Sequence, residues 1–165
     1  GLNEPDIPEL AAFAREHDLN VRFIEYMPLD ASRERERKKV LTARRIEEIL
    51  EEAVGPLIPA GRSDPTAPAY RYELPDGDGR IGIIASVSKP FCDRCNRIRL
   101  TAEGQLRNCL FALDELDVRH IMRDGGSDED IAAAIRRSVG DKWEGHEINQ
   151  ARFIQPDRPM HAIGG

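Results

Sequence analysis

A chain of 165 residues is long enough for one domain, or for one domain with part of another. Hydrophobic residues make up 40 % of it and charged residues 33 %, which argues against a wholly disordered chain. The net charge of −6 argues against a general nucleic-acid-binding protein, because phosphate contacts need clustered positive charge. No apolar run approaches the roughly 20 residues that span a bilayer, and the N-terminus lacks the features of a signal peptide. We therefore expect a soluble, cytoplasmic protein that binds neither nucleic acid nor membrane.

The first third of the chain predicts alternating helix and strand. Apolar residues recur close to helical spacing over residues 6–17, and residues 21–26 alternate and are rich in strand formers. Residues 30–39 are almost entirely charged and predict a solvated loop or frayed helix. Thr42 can then cap a helix that runs to about Val54. A helix followed by a short strand is typical of an α/β unit, so we expect the chain to open within a repeating architecture.

The middle of the chain contains a Pro-rich segment and a hairpin signal. Residues 55–68 hold four prolines and two glycines, which predict a loop and a boundary between subdomains. Beyond it, residues 70–74 and 80–85 flank a five-residue turn segment that contains Asp76-Gly77. This pattern predicts a β-hairpin.

The last part of the chain predicts a second hairpin followed by two helices. The hairpin would pair residues 97–101 with residues 105–108, turning between them at a glycine. The helices are expected near 114–123 and 128–139, on either side of a Gly-Gly pair. An irregular tail follows from residue 140.

All three cysteines of the chain lie in one short stretch, with the spacing Cys-x2-Cys-x13-Cys from Cys92 through Cys95 to Cys109. An odd, clustered number of cysteines argues against a secreted disulfide framework and favours a metal in a reducing compartment. Neighbouring cations such as Arg94 and Arg97 favour the thiolate form that a metal requires.

Spacing alone leaves three interpretations of these thiols open. A cubane iron–sulfur cluster held by three cysteines would keep one iron open to a ligand. A structural zinc ion would need a histidine as its fourth ligand, and His120, His146 and His161 are candidates. The third interpretation is that the thiols bind no metal.

Residues 89–111, which contain all three cysteines, closely resemble the second-cluster motif of the GTP 3′,8-cyclase family. Members of that family are radical S-adenosylmethionine (SAM) enzymes that open molybdenum cofactor biosynthesis. Residues 22–28 are similar to the last part of that family's barrel, and the chain ends on a similar Gly164-Gly165 tail. The similarity runs over essentially the whole chain.

The resemblance implies a specific ligand set. Cys92, Cys95 and Cys109 would hold a 4Fe–4S cluster whose fourth iron has no protein ligand and binds the guanine of GTP. Further GTP contacts would come from Arg22 and from the segment Arg97, Ile98 and Arg99. The two arginines of that segment would share one face if they lay on a strand, where their guanidinium forks could hold phosphate or purine oxygens.

The resemblance also implies two further contacts. Met27 would contact SAM near the carboxyl end of a barrel strand. The Gly164-Gly165 tail would reach into the active site, because glycine lets the backbone approach a ligand closely.

For the fold, the resemblance implies an α/β to α+β structure. Residues 1–58 would be the C-terminal portion of an incomplete (β/α) barrel. Residues 59–165 would form an α+β subdomain that carries the second iron–sulfur site and the Gly-Gly tail. An incomplete barrel would expose sheet edges, so we expect either association with a second copy, as a homodimer, or local disorder near the N-terminus.

One departure from the family pattern is large. The family's first cluster uses a Cys-x3-Cys-x2-Cys motif, and this chain has no cysteine before Cys92. The resemblance therefore implies the C-terminal part of an enzyme whose other barrel half would carry SAM and a second 4Fe–4S cluster. The complete enzyme would use a deoxyadenosyl radical to convert GTP to (8S)-3′,8-cyclo-7,8-dihydroguanosine 5′-triphosphate. This chain alone is expected to be inactive.

Other functions are compatible with parts of the sequence. One alternative is a zinc-stabilised binding module without catalytic activity, and another is a radical SAM relative that acts on a different substrate. A Gly-Gly terminus also occurs in ubiquitin-like proteins, although these are shorter and need no cysteine cluster. Individually, Met27 could be core filler, and Arg22 could simply pair with Glu25 or another carboxylate.

Overall fold

The computed structural model describes residues 2–27, 29 and 39–163. These residues divide into two compact units. The first unit comprises the described residues up to 27 together with 39–95, and the second comprises residue 29 with 96–163. No helix in the described part of the chain is long and apolar enough to cross a membrane.

The first unit is a mixed four-stranded sheet with two α-helices. Its elements in chain order are α1 (Ile7–Glu16), β1 (Asn20–Ile24), α2 (Ala43–Val54), β2 (Ile58–Gly61), β3 (Tyr70–Glu73) and β4 (Arg80–Ile84). The strand order is β1-β4-β3-β2, in which β1 is parallel to β4 and the other pairs are antiparallel. The parallel pair brings the ends of β1 and β4, and the loops that follow them, to one edge of the sheet.

The core of the first unit lies between its helices and one face of its sheet. Helix α2 presents Ile46, Ile49 and Leu50 at i, i+3 and i+4 spacing. They pack with Phe23 and Ile81 of the sheet. Burying one such side chain stabilises the fold by about 1.5–3 kcal/mol relative to leaving it exposed. Because side chains alternate along a strand, the residues between these core positions lie on the opposite face of the sheet.

Local signals in the first unit are confirmed. Helix α2 begins after Thr42, whose hydroxyl accepts the N–H of Arg45 at 3.4 Å. Strands β3 and β4 form the predicted hairpin, with Tyr70 opposite Ile83. Its turn requires Gly79, since this residue has a φ of +74° and an added Cβ would lie 2.9 Å from the Cα of Arg15.

The second unit combines a small antiparallel sheet with two helices. Its elements are β5 (Arg99–Leu100), β6 (Gln105–Arg107), β7 (Leu116–Asp117), α3 (Val118–Arg123) and α4 (Asp128–Gly140). The strand order is β5-β6-β7. The predicted hairpin of β5 and β6 and the predicted helix α4 are confirmed, and α4 begins with a capping box made by Ser127 and Asp130.

Two local expectations are wrong. The Pro-rich segment 55–68 is not loop throughout, because β2 pairs with β3 inside it. Proline is compatible with this position because β2 is an edge strand, where a missing N–H leaves no ladder bond broken. The helix expected near 114–123 begins only at Val118, since residues 116 and 117 form β7.

The compact units divide between residues 95 and 96, whereas the sequence placed a subdomain boundary near residue 58. The pairing of β2 with β3 explains this difference, because it keeps residues 58–95 on the same sheet as β1. The structure is a mixed one of sheets and helices, compatible with the α+β class predicted for the C-terminal part. The incomplete barrel stays a prediction. The charged segment 30–39 falls, apart from its last residue, outside the described residues.

Candidate functional site

Two of the predicted metal ligands lie on one turn of the first unit. The 3-10 helix Cys92–Arg94 follows the loop after β4, and the N–H of Cys95 donates to the carbonyl of Cys92 at 3.1 Å. Both cysteines are partly buried and neither is in a disulfide. The turn therefore joins the backbones of the two cysteines by a hydrogen bond, and their role as ligands stays a prediction.

The charge next to these thiols is partly neutralised. The guanidinium of Arg94 is bonded to the carboxylate of Asp93 at 3.0 Å. This hydrogen bond from Arg94 lowers the pKa of Asp93 below its usual value. The sequence predicted that Arg94 would favour the thiolate, and its pairing with Asp93 weakens that effect.

The loop that leads to the cysteines is held by a buried carboxylate. Glu25 is 1 % exposed. Its two oxygens accept the N–H groups of Val87 at 2.6 Å and of Ser88 at 2.7 Å, and also the hydroxyl of Ser88. One of them also accepts the N–H of Ala43, the first residue of α2, at 2.6 Å. A negative charge at a helix N-terminus is favourable, and the Ala43 N–H is one of the donors that a helix leaves without an intrahelical partner.

Sequence reasoning missed this role of Glu25. The signal was present, since Val21, Phe23 and Glu25 occupy alternate positions of one strand pattern, which places a carboxylate on the core-facing side. The suggested pairing of Arg22 with Glu25 is wrong, because the Glu25 oxygens are engaged by Ala43 and by the loop after β4.

The third predicted ligand, Cys109, belongs to the second unit and directly follows β6 and Asn108. The N–H of Phe111 donates to the Cys109 sulfur at 3.4 Å. Such N–H bonds to sulfur are typical of metal-bound thiolates. Asn108 is fixed by its amide, which donates to the carbonyl of Ser138 at 2.9 Å.

The segment with the predicted GTP contacts lies at the start of the same hairpin. Strand β5 includes Arg99 but not Arg97, so only one of the two arginines is on a strand. Exposure nevertheless alternates, with both arginines partly buried while Ile98 is 43 % and Leu100 61 % exposed. The Nζ of Lys142 donates to the carbonyl of Arg97 at 2.7 Å.

That Lys142 ammonium also donates to the carbonyl of Asn108. One cation thereby holds the backbone at Arg97 and at the residue that precedes Cys109. Sequence reasoning missed Lys142, because nothing near it in the chain indicates which carbonyls it contacts.

Arg107, opposite Arg99 in the hairpin, has a structural role. It is 2 % exposed, and its guanidinium bonds to Glu115 at 2.5 Å and to the carbonyl of Ala112. The carboxylate of Glu115 also forms an ion pair with the Nε of Arg158, at 2.8 Å. The buried charge of Arg107 is therefore compensated within the second unit.

The remaining predicted site residues are scattered along the chain. Arg22 is an exposed residue of β1 opposite Gly82, and Met27 is partly buried three residues after β1. Gly164 and Gly165 lie outside the described residues.

The predicted metal ligands are the three cysteines, none of which is in a disulfide. Among the described residues, no three histidine, cysteine or carboxylate side chains are grouped closely enough to hold a metal ion. The donors are chemically suited to a cluster, since all three are thiols outside disulfides and one accepts a backbone N–H. The three-cysteine ligand set stays a prediction.

The histidines suggested for zinc have other contacts. His120 pairs with Asp124 at 2.9 Å, and the ring of His146 packs 4.6 Å from that of Phe111. His161 is exposed in the tail.

Comparison with known proteins confirms the resemblance seen at residues 89–111. A family model described as Molybdenum Cofactor Synthesis C matches residues 19–148. A GTP 3′,8-cyclase of Rhodopirellula baltica is 46 % identical over 100 % of this chain and 46 % of its own length. One from Streptomyces coelicolor is 44 % identical over 100 % of this chain and 48 % of its own length. One from Mycolicibacterium smegmatis is 44 % identical over 97 % of this chain and 45 % of its own length. The chain spans about half the length of the curated relatives it matches.

Proposed function

The chain belongs to the Molybdenum Cofactor Synthesis C family, and from that membership we propose that it is the GTP-binding part of a GTP 3′,8-cyclase. The observation that carries the proposal is the match along the whole chain to relatives of that name. The reaction would convert GTP to (8S)-3′,8-cyclo-7,8-dihydroguanosine 5′-triphosphate. In it, the part of this chain would be to bind and orient the nucleotide.

Cys92, Cys95 and Cys109 would hold a 4Fe–4S cluster. When bound by three cysteines, such a cluster offers one iron that can coordinate the guanine base. The two thiols of the Cys92–Arg94 turn support this ligand set, as does the N–H that Phe111 donates to the Cys109 sulfur. The loop that carries the first two ligands would be held in place by Glu25, through its bonds to Val87 and Ser88.

The arginines would bind the charged and polar parts of GTP. Arg97 and Arg99 would donate to purine or phosphate oxygens, with Ile98 between them, and Arg22 would add a third cation. Lys142 would position the first of these arginines by holding its carbonyl.

Other components would come from outside these 165 residues. The chain contains no Cys-x3-Cys-x2-Cys motif, so cleavage of SAM would need the N-terminal barrel half and its own 4Fe–4S cluster. Residues up to 58 would complete that barrel, with Met27 contacting SAM and the Gly164-Gly165 tail entering the active site. Without that half the chain would be inactive, and it would bury its open sheet edges in a homodimer.

Metal analysis of anaerobically purified protein tests the ligand set. We expect near-equal iron and acid-labile sulfide, and the electron paramagnetic resonance signal of a cluster with an open iron. Cys109→Ser should lose most of the iron. Asn96→Ser, an exposed change on the cysteine loop, should keep it. Stoichiometric zinc in place of iron would identify the chain as a zinc-stabilised module and overturn the proposal.

GTP titration tests the substrate. We expect the iron-loaded protein to bind GTP, and the double variant Arg97→Ala, Arg99→Ala to bind it at least about tenfold more weakly, because charge-assisted hydrogen bonds are lost. Arg123→Ala, an exposed change in α3, is the control. Iron-loaded protein that does not bind GTP would point instead to a radical SAM relative with a different substrate.

A further inference from the structure

A row of alternating arginine and glycine crosses all four strands of the first unit. The pairing registers place one residue of each strand side by side, in the order Arg22, Gly82, Arg71 and Gly61. Residues that pair directly across neighbouring strands share a face of the sheet. Because Phe23, Ile81 and Ile83 face the helices, this row lies on the opposite face. The backbones of the two arginines are thus about 10 Å apart, on either side of a glycine.

The glycines leave space for the arginines and for a ligand. A Cβ on Gly82 would lie 3.1 Å from the Cγ of Arg22, so the stem of Arg22 extends over the glycine towards β3. A Cβ on Gly61 would meet nothing within 4 Å. Both positions next to Arg71 are therefore without side chains.

Neither arginine is neutralised by the described part of the first unit. The Nε–H of Arg71 is buried and donates to no described group. No ion pair joins Arg22 or Arg71 to a described carboxylate. Glu73 is on the same face, but it lies opposite Arg80 in the next row.

Two other arginines, the buried Arg107 and the partly buried Arg62, show the contrast. The Nε of Arg107 also has no partner, but this arginine bonds to the carboxylate of Glu115 through another guanidinium nitrogen. Arg62 donates to two backbone carbonyls at 2.7 and 2.8 Å. Arg71 differs from Arg107 in having no counter-ion among the described residues, and a bound anion would supply one.

We propose that Arg22 and Arg71 together bind phosphate groups across Gly82. The proposal deepens the proposed function and rests on it, since it adds Arg71 to the residues that would hold the triphosphate of GTP. A phosphate chain fits the row better than a carboxylate does. One carboxylate occupies a single guanidinium fork, whereas a chain of phosphates offers oxygens to two forks that approach from either side.

Calorimetric titration of the anaerobically purified chain tests the proposal with three probes: GTP, guanosine and inorganic triphosphate. Arg71→Met should weaken binding of GTP and of triphosphate about tenfold to a hundredfold and leave guanosine unchanged. Arg80→Met removes the same charge from the next row of the same face and should change each affinity less than about twofold.

Two more variants separate the effect of arginine geometry on binding from the effect of charge, and one of them also serves if Arg71→Met does not fold. Gly82→Ala removes no charge but forces Arg22 to move, and should weaken triphosphate binding about twofold to tenfold, as expected for one side chain held off its rotamer. Arg71→Lys keeps the charge without the fork, and should bind triphosphate more tightly than Arg71→Met but less tightly than the wild type. If Arg71→Met fails to fold by circular dichroism, this lysine variant decides.

The outcomes distinguish the two proposals. GTP binding that is unchanged in Arg71→Met, or reduced equally in Arg80→Met, overturns the phosphate site and leaves the proposed function standing. Triphosphate binding that depends on Arg71, in a protein with no preference for GTP, overturns the proposed function and keeps the site. Absence of binding by all three probes overturns both.

Discussion

The two units of the molecule secure their predicted ligand-bearing segments with opposite charges. In the first unit the carboxylate of Glu25 accepts N–H groups from the loop that leads to Cys92. In the second unit the ammonium of Lys142 donates to the carbonyls of Arg97 and Asn108. Each charge bonds to backbone that lies far from it in sequence.

The difference follows from which backbone groups the two folds leave unpaired. The first turn of a helix and a turn after a strand present N–H groups, and an anion satisfies them, as Glu25 does for Ala43 and Val87. The open end of a hairpin presents carbonyls once its ladder ends, and a cation satisfies those. The type of backbone irregularity therefore determines the sign of the residue that stabilises it.

The largest expected effect comes from the first unit. Glu25→Gln keeps the shape of the side chain but turns an N–H donor towards backbone N–H groups. We expect the free energy of unfolding to fall by about 2–3 kcal/mol, because a buried polar group loses its partner. Denaturation in urea measures the change.

Glu52→Gln provides the matched control, since Glu52 is an exposed residue of α2 and should shift stability by no more than about 0.5 kcal/mol. Hydrogen exchange adds a local readout. Relative to the wild type, Glu25→Gln should accelerate amide exchange more at residues 86–95 than at residues 99–107. Equal acceleration in both segments would contradict the idea that Glu25 acts on its own unit.

The reverse pattern is expected when the cation of the second unit is removed. Lys142→Met should lower stability by about 1–2 kcal/mol, because two carbonyls lose a charged donor at a partly buried site. Exchange should now accelerate at residues 97–109 and not at 80–84. Lys89→Met, at an exposed lysine of the first unit, should change neither. A Lys142→Met protein with wild-type exchange at residues 97–109 would show that the lysine does not hold the hairpin.

Much of the fold could be predicted because its determinants are local. Helix α2 has its cap at Thr42 and its apolar face within one run of sequence, and the β3–β4 hairpin has its turn residues between its strands. Strand β2 was missed, because its proline content argues for a loop unless the strand is known to be at an edge. The short β7 has no local signal, since it exists only through its pairing with β6.

The residues of the site can also be divided into those that the sequence identifies and those that it does not. The cysteines and Arg97 could be identified from the residues themselves and their resemblance to a family. The residues that position them could not, because Glu25 contacts the chain 62 positions away at Val87, and Lys142 contacts it 45 positions away. The row that includes Arg71 also depends on strand register, which the hairpin fixes only for β3 and β4.

The smallest expected effect comes from removing the helix cap of either unit. The Thr42 side chain contributes one bond to the cap of α2, from the N–H of Arg45, whereas the side-chain bonds of the α4 cap are reciprocal. In α4, the hydroxyl of Ser127 accepts the N–H of Asp130 at 3.2 Å, and the Asp130 carboxylate accepts the Ser127 N–H at 2.8 Å and its hydroxyl at 2.7 Å. Ser127→Ala should lower stability by about 1 kcal/mol and Thr42→Ala by about 0.5 kcal/mol at pH 7.

Of the two hydroxyl caps, only that of Ser127 bonds to a carboxylate, so only its contribution should depend on pH. Hydrogen bonds, first from the Ser127 hydroxyl and then from its N–H, hold the pKa of Asp130 below its usual value. A carboxylate with a lowered pKa stabilises the fold above its unfolded pKa, and that stabilisation is lost as the pH falls through the lowered value. The difference in melting temperature between the wild type and Ser127→Ala should therefore narrow below about pH 4. It should not vanish, since the bond from the Asp130 N–H to the Ser127 hydroxyl needs no ionised group. For Thr42→Ala the difference should stay constant, and a parallel decrease there would attribute the effect to general acid destabilisation of both units.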